Sequence, residues 1–75
     1  MIVYLQNRKG LTRMPKEVWT TNWTVRNEEK GLIVCTGRNN PYMGTYETVE
    51  RADEVLAEMF QYYQNGKKSY IMPEK

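Results

Sequence analysis

The chain of 75 residues carries 11 Lys and Arg residues against 9 Asp and Glu residues, has no His and one Cys, and is 40% hydrophobic. This length accommodates one small domain, residues 1–75, and excludes a two-domain enzyme. Because the chain lacks His, the usual zinc ligand sets and the common hydrolase constellations are missing, so we predict no catalytic residues, no metal site and no cofactor.

The N-terminal half has the residue pattern of antiparallel strands. Residues 1–6 are rich in Ile, Val and Tyr and predict a strand, and a polar turn ending at Gly10 leads to a short second strand over residues 11–14. Residues 17–26 are rich in β-branched and aromatic side chains and predict a long strand.

A polar connection is predicted over residues 27–31, followed by an apolar strand over residues 32–36 that forms an antiparallel hairpin with the long strand. Cys35 lies in this apolar stretch and is predicted to be a buried, inert thiol.

Trp19 and Trp23 fall on the same side of the long strand because strand side chains alternate between faces. Both are therefore core residues or both are surface residues. A core position is the first expectation, because a small protein needs its large side chains inside. The alternative is an uncovered sheet face that binds a partner or a second copy.

The C-terminal half predicts a short strand, a helix and a last strand. Residues 42–46 form the strand, with Gly44 at a bulge or a close backbone approach. The helix begins after an N-cap at Thr48 and ends at Asn65 and Gly66. A final strand covers residues 69–72. The apolar positions of the helix recur at helical spacing and are Ala52, Val55, Leu56, Met59, Phe60 and Tyr63.

These elements predict an α+β fold: a small antiparallel β-sheet of about four to five strands, one amphipathic helix packed on one face, and a final short strand after the helix. Met59, Phe60 and Tyr63 are expected to pack against the sheet at Ile33 and Cys35. The other face of the sheet then has no cover.

No membrane partner is expected, because the longest apolar run, at residues 32–35, is far shorter than the roughly 20 residues of a membrane span. Residues 1–10 become polar after five positions, so we also expect no signal peptide. A cytoplasmic setting is the resulting expectation for localisation.

Charge is divided unevenly along the chain. Residues 1–38 hold 7 basic and 3 acidic groups, for a net charge of +4, whereas residues 39–75 hold 4 basic and 6 acidic groups, for a net charge of −2. A basic sheet half with interleaved aromatic residues is one route to nucleic-acid binding. The candidate binding residues, for a protein or a nucleic acid, are Trp19, Trp23, Arg26, Arg38 and Tyr42.

The C-terminal half carries four short motifs: Gly-x-Tyr at residues 44–46, ERA-x-EVL-x-E-[IM]-F at residues 50–60, Asn65-Gly66, and x-Tyr-x-Met-Pro-Glu ending at Glu74. With these motifs the chain resembles the C-terminal part of small proteins encoded by phages and prophages of Gram-positive bacteria. The resemblance implies an accessory protein of a mobile element that binds a host or phage macromolecule stoichiometrically, for example to block a defence nuclease.

Two functional hypotheses follow. The first is a non-enzymatic phage or prophage accessory protein that binds a host or phage protein, with inhibition of a host defence system as one form. The alternative is a small nucleic-acid-binding protein that uses the basic N-terminal sheet half. A homodimer formed through an edge strand at residues 1–6 or residues 69–72 stays open under both hypotheses.

Overall fold

The computed structural model describes residues 1–75 and contains six strands and one helix. The strands form two three-stranded sheets, with the orders β2-β1-β6 and β3-β4-β5, and the helix packs on the second sheet. The α+β class, the packed helix and the final strand after it are confirmed. The elements are β1 (Ile2–Tyr4), β2 (Leu11–Arg13), β3 (Val18–Val25), β4 (Glu28–Cys35), β5 (Tyr42–Tyr46), α1 (Val49–Gln64) and β6 (Ser69–Ile71).

The first sheet joins the two ends of the chain. β1 pairs antiparallel with β2 and parallel with β6, because the chain reaches β6 only after α1 has crossed the molecule. Strand β1 therefore lies between two neighbours, and the expectation that residues 1–6 offer an edge to a second copy is wrong. Its backbone groups on both sides face strands of the same chain, which leaves β2 and β6 as the edges.

The hairpin of β3 and β4 is longer and tighter than predicted. Arg26 and Asn27 form its turn with φ angles of 51° and 65°, and Val25 pairs with Glu28. Two consecutive positive φ angles are typical of the two-residue turn that matches the twist of antiparallel strands. The polar connection predicted at residues 27–31 is therefore wrong. Polar residues extend the strands here because this end of the hairpin is exposed on both faces.

Strand β5 pairs with β4 through an irregular register. Ile33 lies opposite Gly44, but the next residue, Val34, lies opposite Tyr42, so Met43 has no partner of its own. A Cβ atom on Gly44 would come within 2.9 Å of the Met72 side chain. The bulge that the sequence predicts near Gly44 is confirmed, whereas the atoms that approach Gly44 closely belong to side chains rather than to another backbone.

Helix α1 begins and ends where the sequence predicts. The Thr48 hydroxyl accepts a hydrogen bond of 3.0 Å from the Arg51 N–H, and Gly66 follows the C-cap with a φ angle of 72°. The helix and both sheets enclose one hydrophobic core. Its buried members are Val3, Leu5, Ile33, Cys35, Met43, Tyr46, Ala52, Val55, Met59, Tyr70 and Met72.

The outer part of the helix stripe does not enter this core. Met59 is fully buried as expected, but Phe60 and Tyr63 are 39% and 54% exposed, so their predicted burial is wrong. Only Ala52, Val55 and Met59 are buried on the side that faces the sheet, and Leu56 packs partly buried against the core beside them. A three-stranded sheet is too narrow to cover the flank on which Phe60 and Tyr63 lie.

The Gln6 side chain connects the two sheets. Its Nε2 donates to the Thr45 carbonyl at 2.6 Å, and its Oε1 accepts from the Thr45 N–H at 2.6 Å. Nε2 also donates to the Glu74 carbonyl at 3.0 Å. The amide thereby occupies backbone groups of β5 that would otherwise form a free sheet edge.

Candidate functional site

The face of the β3-β4-β5 sheet that points away from α1 carries large apolar side chains. Trp19 pairs with Val34, which in turn pairs with Tyr42, and Leu32 and Trp23 lie on the same face by strand alternation. The core residues of β4, Ile33 and Cys35, alternate with these and point to the helix side. We call the surface formed by Trp19, Trp23, Leu32, Val34 and Tyr42 the open face.

The open face has a buried floor and an exposed aromatic layer. Leu32 and Val34 are each only 7% exposed, whereas Trp19 is 45%, Trp23 46% and Tyr42 57% exposed. Of the two alternatives for the tryptophan pair, the structure selects the surface. The core is completed without them by Tyr46, Tyr70 and the helix.

A shallow depression opens between the aromatic residues. Trp23, Leu32, Tyr42 and Thr45 line this space of about 270 Å³, which is mostly apolar. Apolar depressions flanked by Trp and Tyr are the places where a partner side chain is buried in protein interfaces. The open face therefore has both an exposed apolar surface and a depression that can accept a partner side chain.

The two ends of the open face differ in charge. At the Trp23 end, the Lys30 ammonium lies 3.4 Å from a Glu28 oxygen and 3.0 Å from a Glu47 oxygen. The pKa of Lys30 is raised, chiefly because the ammonium donates a hydrogen bond to Glu47. Lys30 therefore keeps its proton, and its positive charge is balanced by the carboxylates of Glu28 and Glu47.

At the Trp19 end, a cleft of about 440 Å³ is lined by Arg13, Lys16 and Arg38, none of which forms an ion pair. We call it the basic cleft. Arg38 also donates to the Tyr42 carbonyl at 3.3 Å, which places the cleft next to the open face. The remaining lining residues are Thr12, Met14, Pro15, Thr36 and Gly37.

Four of the five candidate binding residues fall on or beside this surface. Trp19, Trp23 and Tyr42 belong to the open face, and Arg38 lies at its basic end. Arg26 is separated from them, because it forms the turn of the β3–β4 hairpin. Since β4 has eight residues, the turn lies about 25 Å from the segment that follows the strand.

Two buried tyrosines have hydroxyl groups with internal partners. The Tyr70 hydroxyl donates to Glu58 at 2.9 Å, and its pKa is raised, first by burial and then by this hydrogen bond. The Tyr46 hydroxyl donates to the Pro73 carbonyl at 2.8 Å, and burial raises its pKa to about 12. Both groups stay protonated at neutral pH and have structural partners.

The remaining groups that could carry chemistry are few. Cys35 is buried and free of any disulfide, as predicted for its place in the core. No three His, Cys, Asp or Glu side chains cluster closely enough to hold a metal ion. Helix α1 is neither long enough nor apolar enough to cross a bilayer.

A second exposed apolar row crosses the other sheet. Tyr4 pairs with both Leu11 and Ile71, and these three residues are 42%, 56% and 60% exposed. The row has no buried floor comparable to Leu32 and Val34. It is therefore a weaker candidate for a binding surface than the open face.

Comparisons with protein-family models, with curated proteins and with solved structures return no match to this chain.

Sequence reasoning missed the floor of the open face and the composition of the basic cleft. Four consecutive apolar residues at 32–35 indicate a strand buried on both sides, and this pattern was the available signal for a covered second face. The cleft had no such signal, because Arg13 and Arg38 are far apart in sequence and meet only through the tertiary fold.

Proposed function

We propose that this protein is a non-enzymatic binding protein that binds another protein through its open face. The observation that carries the proposal is the exposed aromatic layer over a buried floor. Trp and Tyr are enriched among the residues that dominate binding energy, and a monomer rarely leaves such an area in contact with water. Trp19 and Trp23 are the anchors in this proposal.

The charges beside the open face define the chemistry of the partner. Lys30 is neutralised by Glu28 and Glu47, whereas Arg38 and Lys16 at the opposite end have no acidic partner. A complementary protein surface has an apolar centre and carboxylates at the end that meets Tyr42. Such charges raise the association rate and fix the orientation of the complex.

The setting that fits this proposal is a phage or prophage accessory protein in the cytoplasm of a Gram-positive bacterium. The resemblance of residues 44–46, 50–60 and 70–74 to such proteins supports it. Stoichiometric binding to a host or phage protein, including inhibition of a host defence system, needs no catalytic group. It needs only a rigid surface, and the β3–β4 hairpin on its helix supplies one.

The test is capture from a Gram-positive bacterial lysate with tagged wild-type protein and a tagged Trp19→Ala/Trp23→Ala variant, in nuclease-treated and untreated samples. Tyr63→Ala is the matched control, because it removes an aromatic side chain of similar exposure on the helix. Circular dichroism verifies that each variant is folded.

The proposal predicts one protein that wild type and Tyr63→Ala capture with or without nuclease and that the double variant does not. With the purified partner, Trp19→Ala and Trp23→Ala should each raise the dissociation constant by roughly 30-fold or more, as substitutions of central interface residues do. Equal affinity of the double variant and wild type would exclude the open face as the binding surface.

A second candidate function is binding of single-stranded nucleic acid. The observation that favours it is that Trp19 and Tyr42 lie in one row beside Arg13, Lys16 and Arg38. Bases stack on such aromatic side chains while cations bind the backbone, so affinity would fall steeply as the salt concentration rises. Absence of a gel shift with single-stranded probes at low salt would eliminate this function.

A further inference from the structure

The basic cleft forms where the end of β2 and the β2–β3 connection meet the segment after β4. Arg13 and Lys16 belong to the first wall and Arg38 to the second. A hydrogen bond of 3.1 Å from the Thr36 N–H to the Glu17 carbonyl holds the two walls together. The cleft volume of about 440 Å³ lies within the range of small-molecule sites. The walls are thus fixed relative to each other, and the space between them admits a small ligand group.

The positive charge of the basic cleft is not compensated within the chain. The four ion pairs of the protein use Arg8, Lys30 and Arg51, so none of them involves a cleft residue. No carboxylate lines the cleft. Three cations around one concave surface produce a local potential that favours a multiply charged anion over water.

Backbone and hydroxyl groups in the cleft add free hydrogen-bond donors. Gly37 has a φ angle of 85°, and neither its N–H nor that of Arg38 donates a hydrogen bond within the chain. The hydroxyls of Thr12 and Thr36 have no partner in the chain either, since no side-chain hydrogen bond involves them. Successive N–H groups at a bend with a left-handed residue are a common anion-binding arrangement.

We propose that the basic cleft binds a phosphate group with two or more negative charges, such as the terminal phosphate or diphosphate of an organic phosphate. Guanidinium groups bind two oxygens of such a group at once, and Lys16 adds a point charge. A phosphodiester of a nucleic-acid backbone has one charge per unit and does not concentrate its charge in one cleft. This site lies outside the open face and goes beyond the protein-binding function.

Titration of the ¹⁵N-labelled protein with inorganic pyrophosphate, at constant ionic strength, tests the proposal by amide chemical shifts. Saturable shifts are expected at the N–H groups of Gly37 and Arg38. Arg13→Gln and Lys16→Gln should each weaken the affinity at least tenfold, because each removes a charge-assisted hydrogen-bond donor. Lys67→Gln, a change of the same kind after the helix, should leave the affinity unchanged.

The amide spectrum also shows whether each variant is folded, and both cleft substitutions are at exposed positions. Shifts that fail to saturate, or equal affinity in Arg13→Gln and wild type, would overturn the phosphate site. If an oligothymidine without terminal phosphates bound at the same amides more tightly than pyrophosphate, the result would overturn the proposal in favour of nucleic acid. Arg13 is not one of the charges that we assign to the protein partner, so Arg13→Gln should leave protein capture through Trp19 and Trp23 unchanged, and the two proposals fail separately.

Discussion

Gly31 occupies the position where strand β4 passes closest to the start of helix α1. A Cβ atom there would lie 2.8 Å from the Cα of Val49 and would overlap the Thr48 carbonyl. Both neighbours are backbone, which cannot move aside as a flexible side chain does. The absence of a side chain at this one position lets the helix begin directly against the sheet.

Gly31→Ala should therefore destabilise the protein by about 1–3 kcal/mol, as overpacking of a rigid contact does. Gly10→Ala is the matched control, because a Cβ there meets only the Leu5 side chain at an ordinary distance of 3.5 Å. Urea denaturation measures both changes. A free energy of unfolding that is equal in the two variants would show that the helix start can shift to make room.

Gln6 shows how one side chain can substitute for a strand. Its amide pairs with both backbone groups of Thr45, at 2.6 Å each, and so continues the hydrogen bonding of β5 toward the first sheet. No local sequence pattern indicates that the Gln6 side chain pairs with the backbone of β5. The sequence predicts Gln6 only as the last residue of the first strand, and the arrival of β5 gives its side chain a partner.

At the scale of elements, the helix binds the sheet with a narrower stripe than its sequence suggests. Six apolar residues recur at helical spacing, but only Ala52, Val55 and Met59 are buried. Amphipathic spacing identifies which side of a helix faces inward and does not determine how wide the covered strip is. The width depends on the sheet, which has only three strands here.

The narrow buried side of α1 predicts different stability losses for two helix substitutions. Met59→Ala should cost about 2–5 kcal/mol of stability, because it leaves a cavity in the core. Tyr63→Ala should cost less than about 1 kcal/mol, since the Tyr63 side chain is 54% exposed. Thermal and urea denaturation measure both. Comparable losses would indicate that Tyr63 packs against the protein in solution.

In α1, apolar residues lie outside the core; in the β3–β4 hairpin, conversely, polar residues that the sequence assigns to a connection belong to a strand. Glu28 and Glu29 continue β4 because the turn at Arg26 and Asn27 sets the register for the whole hairpin. The extended hairpin gives Trp23 a cross-strand partner, Lys30, on the face that Trp23 shares with Trp19 by strand alternation. A five-residue connection in its place would have shortened the open face.

At the scale of the whole molecule, tyrosine hydroxyls tie the C-terminal segment to the core. Tyr46 of β5 donates to the Pro73 carbonyl, and Tyr70 of β6 donates to Glu58 on the helix. The pKa of each is raised, in both cases mainly by burial. Folding therefore holds these protons more tightly than the unfolded chain does.

This difference predicts a loss of stability at high pH. The Tyr46 pKa is about 12 in the folded protein, against about 10 for an unfolded chain. Between these values the unfolded state releases its proton first, so the free energy of unfolding falls as the pH rises from about 10 to about 12. Urea denaturation at a series of pH values measures the slope.

Tyr46→Phe should be less stable than wild type at neutral pH, because it lacks the hydrogen bond to Pro73. Its stability should nevertheless fall less steeply above about pH 10, since the ionisable group is gone. Below about pH 9 the two proteins should show the same pH dependence. An identical slope above pH 10 would contradict the assignment of the loss to Tyr46, while Tyr70 continues to contribute in both proteins.

The sequence by itself determined the elements with strong local signals. Helix α1 has an N-cap, a periodic apolar side and a stop at Asn65 and Gly66, and β5 lies between clear breaks, so local chemistry fixed both. The α+β class follows from their order. The placement of Trp19 and Trp23 on one face follows from strand alternation, although the choice between core and surface does not.

Only the tertiary structure decided which surfaces are covered and which residues meet. The core is filled by residues from all parts of the chain, and this filling leaves the tryptophans outside. The basic cleft unites Arg13 with Arg38, and the parallel pairing of β1 with β6 joins the two ends. These contacts link residues far apart in sequence, and their free energy depends on how the whole chain packs, which no local pattern encodes.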